Sequence, residues 1–418
     1  MILKNRIAFM KKILIALVCS LTIMFSSCGS TTEKSTPVAG PDSALAPVET
    51  LTANSDYPPA FAGQTRIAGV KTTTAYESKV LTEGLNQPWG ITSLPDGRFL
   101  ITEKAGSMRI ASQDGTLSAP ITGLPKVNSD GQGGVLGLTL DPGFTSNRMI
   151  FWTFSENTPQ GSQTAVAKGK LSEDEKTIEK AQVIYHATPA HKSTFHYGSR
   201  ILFDKTGNII FSTGERGDDV TRPQAQFLNS SLGKIIRITP DGKAAPGNPF
   251  ENRTDARPEL YSYGHRNVQG LAINPATGDL WETEFGPRGG DEINLIEPGK
   301  NYGWPIITYG IEYAGPKVGD SIQQKEGMQQ PVYYYDPVVS PSGITFYNSD
   351  VIPEWKNNLF ISTLSGMHIA RLIIKDNKVV GEERLLADKA QRFRDITQGK
   401  DGALYAISDQ GRLYRIGK

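Results

Sequence analysis

Gly90-Ile91-Thr92-Ser93-Leu94-Pro95-Asp96-Gly97-Arg98-Phe99-Leu100-Ile101 is an apolar strand, a Pro-Asp-Gly turn and a second apolar strand. Proline presets the turn's φ and glycine tolerates the left-handed residue that closes it, so the stretch predicts a β-hairpin. The unit recurs at Arg200–Phe211, Gly270–Trp281 and Asp395–Ala406, and in looser form at Gly137–Phe151 and Gly343–Ile361. A hairpin alone cannot bury its faces, whereas several stacked around an axis bury them all. Regular turns also suit a β-sandwich, but six copies are too many for one. The reading is all-β, a six-bladed β-propeller over residues 75–418, with Glu77–Leu81 completing the last blade.

Composition agrees. The 43 Gly and 26 Pro in 418 residues suit short strands and tight turns. Lys and Arg number 44 against 43 Asp and Glu, a formal charge of +1. A nucleic-acid-binding protein usually carries a basic excess, so that class is set aside.

Lys4, Arg6, Lys11 and Lys12 precede an apolar run, Ile13–Phe25, that ends in Ser26-Ser27-Cys28. The run is too short to span a bilayer and reads as an export signal, residues 1–27. Its end resembles a bacterial lipoprotein signal, which makes Cys28 the acylated N-terminus and the only membrane contact. Removing 1–27 takes away four basic and no acidic residues, moving the charge to −3. It also removes Cys19, so the exported chain, periplasmic or on the cell surface, has no disulfide. Ser, Thr, Pro and Ala dominate the following stretch, and residues 28–74 read as acylated Cys and flexible tether.

Segments that open the inner strands of a propeller converge on one end of its channel. Four stand out: Phe195–Arg200 with His196, Ser262–Gly270 with Arg266, the Gly-rich Glu284–Asn294 with Asn301–Trp304, and Arg392–Asp395. His196 in a Gly-flanked loop suits a general base. Arg266, Arg392 and Arg394 suit an anion-binding wall, the last two sharing a strand face. His186, His191 and His196 recur every five residues, which alternates strand faces and disfavours a metal cluster. Asp291 and Glu292 among glycines suit calcium, or a solvated acidic turn.

Gln87–Gly90, Gly131-Gln132-Gly133-Gly134, Tyr263–Gly270, Gly289–Leu295 and Asn301–Pro305 together resemble the soluble quinoprotein aldose dehydrogenases, the glucose/sorbosone dehydrogenase family, from about Leu85 to Ile416. The resemblance implies pyrroloquinoline quinone (PQQ) at the channel mouth with Ca2+ beside it, oxidising aldoses at C1 to lactones and passing electrons to an unidentified acceptor. His196 then takes the C1 hydroxyl proton while the hydride goes to the quinone. Arg266 and Asn267 polarise the quinone oxygen, Gln269, Arg392 and Arg394 hold the cofactor, and Gln132 and Glu215 meet the sugar. Carbonyls of Gly286 and Pro287 match ligands of one calcium. Glu292, Asp291 and the Tyr302 carbonyl match a second.

Two departures stand out. Ser365 replaces a cofactor-contacting Lys, and a charge-assisted contact is worth about 1.5–3 kcal/mol. Glu215 stands where a sugar-contacting Asp is usual. The competing readings are a propeller lactonase, which needs a channel metal held by carboxylates, and a glycan- or protein-binding propeller that has lost the quinone.

Overall fold

The computed structural model describes residues 45–418. Each repeat becomes the first two strands of an antiparallel sheet, and the described residues form six such sheets. The first blade holds Pro88–Ser93, Phe99–Glu103 and Ser107–Ala111. The second runs from Val135–Leu140 to Ile178–His186, and the third from Ile201–Phe203 to Leu260–Tyr263. The fourth runs from Val268–Ile273 to Tyr333–Tyr335, and the fifth from Pro341–Phe346 to Lys378–Leu385. In the sixth, Phe393–Gln398, Leu404–Ser408 and Leu413–Gly417 are joined by Glu77–Thr82 from the start of the domain. This pairing ties the two ends of the ring together, as the sequence predicts.

Apolar residues on facing sheets fill the spaces between blades. Leu100 and Ile110 meet Leu138 and Trp152 between the first and second, and Phe151 and Val166 meet Ile209 and Phe211 between the second and third. The innermost strands adjoin one another around the axis. They come close enough that a Cβ on Gly137 would strike the Ser199 carbonyl, and one on Gly270 the Ser342 carbonyl. Glycine at these places is a condition of closing six blades around a narrow channel.

The N-terminal boundary differs from the expected one. Residues 45–74 are packed on the propeller. Leu45–Pro47 and Ala68–Gly69 extend the fifth blade to six strands, and the Glu49 carboxylate pairs with Arg384 at 2.7 Å. The amides of Asn54 and Ser55 donate to Asp336 at 2.6 and 3.0 Å, Gln64 is wholly buried, and Trp355 Nε1 donates to Thr72 Oγ1 at 2.7 Å. This docking uses polar side chains and backbone amides and has no apolar period, so composition alone makes it resemble a tether. The export signal 1–27 and Cys28 lie outside the described residues.

Candidate active site

Loops preceding the inner strands enclose a cavity of about 370 Å³ at one end of the channel. Four cations line it: Lys104, Arg266, Arg392 and Arg394. His196 and Gln132 line it too, and among the described residues no carboxylate does.

His196 sits at φ 48° and Gly198 at φ 66°, a tight turn just before the third blade. The His196 amide donates to Gln132 Oε1 at 2.8 Å, and its Nδ1 lies 2.8 Å from Glu215 Oε1. Burial pushes the Glu215 carboxyl up, but the hydrogen bond and charge of His196, with Arg266, outweigh it and leave its pKa lowered. An ionised Glu215 accepts the Nδ1 proton, so the Nε2 lone pair is the free one. Burial, then the charge of Arg266, lowers the His196 pKa against the opposing pull of Glu215, so the ring is neutral at pH 7. Glu215 is 1% exposed and absent from the cavity lining. Glu215 thus stands behind His196 as the partner of its Nδ1, whereas the resemblance has it meet the sugar. Gln132 keeps its amide NH2 for the cavity.

Arg266, Asn267 and Gln269 open the fourth blade. Glu284 Oε2 accepts the backbone amides of Arg266 and Asn267 at 2.6 and 3.2 Å, which fixes the turn. Asn267 Oδ1 accepts from the Gly198 amide at 3.0 Å, and Gln269 Nε2 donates to the Gly198 carbonyl at 2.9 Å. Arg266 Nε and Asn267 Nδ2 are buried donors without a partner among the described residues. Unpaired buried donors cost free energy, so the pair fits an acceptor-bearing ligand.

Arg392 and Arg394 flank Asp409, at 3.1 and 2.9 Å from their Nε atoms. One carboxylate between two guanidiniums leaves this wall cationic. Lys104, which the sequence reading missed, adds to it from the end of Phe99–Glu103. Its signal was its place, immediately after a strand that ends at the channel mouth. Ser365 is turned to Ser340, a lining residue, with the hydroxyls 2.8 Å apart.

The acidic turn is buried, not solvated. Both Asp291 oxygens are engaged by backbone amides, those of Gly286, Val339 and Ser340 at 2.7–2.9 Å. This makes Asp291 the anchor of the loop carrying Gly286 and Pro287, and argues against it as a metal ligand. Glu292 lies beside Glu282 and Glu284, and Asn294 Nδ2 bridges Glu282 and Glu292 at 2.7 and 3.0 Å. Burial and the charge of Glu284 push Glu282 and Glu292 well above the usual carboxylate range. Glu282 Oε2 and Asn294 Oδ1 are buried without a donor among the described residues. Tyr302, whose backbone carbonyl the resemblance names, stacks on His265 next to this cluster at 4.7 Å. Acidic oxygens and orphaned acceptors, paired with no Lys or Arg side chain among the described residues and with only His265 Nδ1 at 3.4 Å from Glu284 Oε1, fit a hard divalent cation.

The sequence matches the family described as glucose/sorbosone dehydrogenase over residues 85–415. It is 39% identical over 343 residues to the aldose sugar dehydrogenase YliI of Escherichia coli, spanning 81% of this chain and 92% of that protein. A crystal structure of a glucose dehydrogenase superposes with a TM-score of 0.79 at 40% identity, covering 82% of this chain and 99% of the other. The PQQ-bound aldose sugar dehydrogenase of Streptomyces coelicolor superposes with a TM-score of 0.67 at 28% identity, covering 83% and 99%.

Proposed function

The chain belongs to the glucose/sorbosone dehydrogenase family, and from that premise we propose that it oxidises aldose sugars at C1 to lactones with PQQ and Ca2+. The observation that carries the reading is a cavity with four cations, one neutral histidine and no carboxylate in its lining among the described residues. PQQ bears three carboxylates, and Arg392, Arg394 and Lys104 would hold them, with Gln269 beside them. The donors orphaned on Arg266 and Asn267 would serve the quinone's oxygens. Bound there, PQQ supplies the electron sink that accepts hydride from the sugar. Glu282, Glu284 and Glu292 would hold a structural Ca2+, and the carbonyls of Gly286 and Pro287 one nearer the cofactor. A lining without carboxylates disfavours the lactonase alternative. The basic-then-apolar N-terminus supports export, with Cys28 as the anchor.

The protein's own part in the step is proton transfer. His196 Nε2 takes the C1 hydroxyl proton, and Glu215 holds the tautomer and stabilises the imidazolium that forms. Arg266 faces the charge that develops on the acceptor.

The test is reconstitution. Protein lacking residues 1–28, supplied with PQQ and Ca2+, should bleach an electron-acceptor dye with aldoses, and chelator should abolish the turnover. Turnover without PQQ, or none with PQQ bound, would sink the assignment.

The pH profile gives a second prediction. A lowered His196 pKa keeps the base neutral into mild acid, so the acid limb of kcat/KM should fall below the usual histidine value of about 6.5. Glu215 opposes that lowering. Glu215→Gln should therefore move the limb to still lower pH and cut kcat by about tenfold, as a weaker base must. An unmoved limb would separate Glu215 from the base.

A further inference from the structure

Aligning the six inner strands by their register with the second strand, on the paired residues Ile91, Leu138, Ile201, Leu271, Ile344 and Ile396, picks out the position just before each: Gly90, Gly137, Arg200, Gly270, Gly343 and Asp395. Four are glycine. The exceptions fall in the third and sixth blades, which lie opposite each other in a ring of six. Their side chains meet over the axis, Arg200 Nη1 to Asp395 Oδ2 at 2.5 Å, and both are buried. At Gly90, Gly137 and Gly270 a Cβ would strike the neighbouring inner strand, and Gly343 clears room for the pair itself. A Cβ on Gly343 would collide with the Asp395 carboxylate.

The residue just before this position in four blades is Trp89, Leu136, Gln269 or Arg394, and all four line the cavity. The Arg–Asp pair therefore lies directly beneath the cavity floor. Its two ends differ. The Arg200 guanidinium sits 4.4 Å from the centre of the Trp89 ring and its Nε donates to the Gln269 carbonyl at 2.9 Å. Asp395 is held from deeper in the strands, by the amides of Ile91 at 2.9 Å and Ile396 at 3.0 Å. The positive end thus abuts the floor residues. Burial above all, and then the charge of Arg394, disfavour the protonated form of Arg200 against the opposing pull of Asp395.

We propose that Arg200 and Asp395 are positioning residues of the active site: their ion pair plugs the channel under the cofactor pocket, fixes Trp89 and Gln269, and gives the floor a positive bias toward an anionic occupant. The inference rests on the quinone reading for the identity of that occupant. Stability alone does not account for the pair, because a well-packed apolar plug usually serves as well as a buried ion pair or better. Charge placed under an anion site has an effect that an apolar plug lacks.

The two charges predict opposite signs. In calorimetric titrations of the Ca2+-loaded protein with PQQ, Arg200→Gln should weaken binding about tenfold, and Arg200→Lys should restore most of it. Asp395→Asn should tighten binding about threefold while lowering the melting temperature. Affinity rising as stability falls is something a merely structural staple cannot produce. If both charge-removing variants weaken binding in step with their lost stability, the electrostatic role is overturned. Should Arg200→Gln fail to fold, Asp395→Asn and Arg200→Lys carry the same comparison. Amide exchange on the apo-protein tests the plug separately: Ile91 and Ile396 should exchange at least about tenfold faster in Asp395→Asn, and unchanged protection overturns it. If the wild type binds no PQQ, the quinone reading falls and the exchange arm alone decides the plug.

Discussion

His196→Ala should lower kcat by about 10³ while PQQ affinity stays within about threefold. The imidazole is the only titratable group in the described cavity lining that is neutral and proton-accepting at pH 7, the others being Lys, Arg and Tyr. Its removal takes away the acceptor for the C1 hydroxyl proton and leaves the cationic wall intact. Some stability is lost too, since the buried Glu215 carboxylate forfeits its partner at 2.8 Å, a cost of about 1–3 kcal/mol. The Gly217 amide, 2.9 Å from the other Glu215 oxygen, limits that cost. Stopped-flow reduction of the bound cofactor by sugar, read beside calorimetry, separates the two effects. A variant that binds PQQ and reduces it at the wild-type rate would remove His196 from the base role. A variant that fails to bind would make His196 part of the cofactor site.

Most of the fold was legible because each blade begins with a hairpin, and a hairpin's turn and alternation are written in about a dozen consecutive residues. Ring closure by Glu77–Thr82 was legible for a different reason: it is a lone strand with nothing local to pair with, and the last blade lacks one. The packing of residues 45–74 was not, since its partners, Asp336 and Arg384, are more than two hundred residues away and its bonds are polar. In the site, the groups facing the cavity were visible as motifs, whereas the groups that hold them were not. Glu284 matters because it caps the Arg266–Asn267 turn, and Asp409 because it lies between two arginines. Neither relation has a sequence period. Glu215 illustrates the limit: the motif located it beside the site, and only the fold put it behind the histidine.

Replacing both Arg392 and Arg394 by Gln should weaken PQQ binding by about 10² to 10⁴, two charge-assisted contacts at about 1.5–3 kcal/mol each with some loss to coupling between neighbours. The geometry adds a penalty beyond the contacts themselves. Burial pushes the Asp409 carboxyl up, yet the charges and hydrogen bonds of the two arginines hold its pKa below the usual value. Without them an ionised Asp409 would repel a carboxylate-bearing cofactor, unless it took up a proton. Binding by the double variant should therefore become pH-dependent, recovering as pH falls and Asp409 is neutralised, while wild-type binding changes little over that range. Adding Asp409→Asn should restore about tenfold of the loss and abolish the pH dependence. Turnover per loaded enzyme should fall far less than affinity, because His196 and its Glu215 partner are untouched. Calorimetry across pH on the three proteins reads all of this. Equal affinity in wild type and double variant would move the cofactor's carboxylates off these two arginines, to Lys104 and Arg266. A loss that Asp409→Asn does not relieve would mean that the two arginines act through direct contact alone.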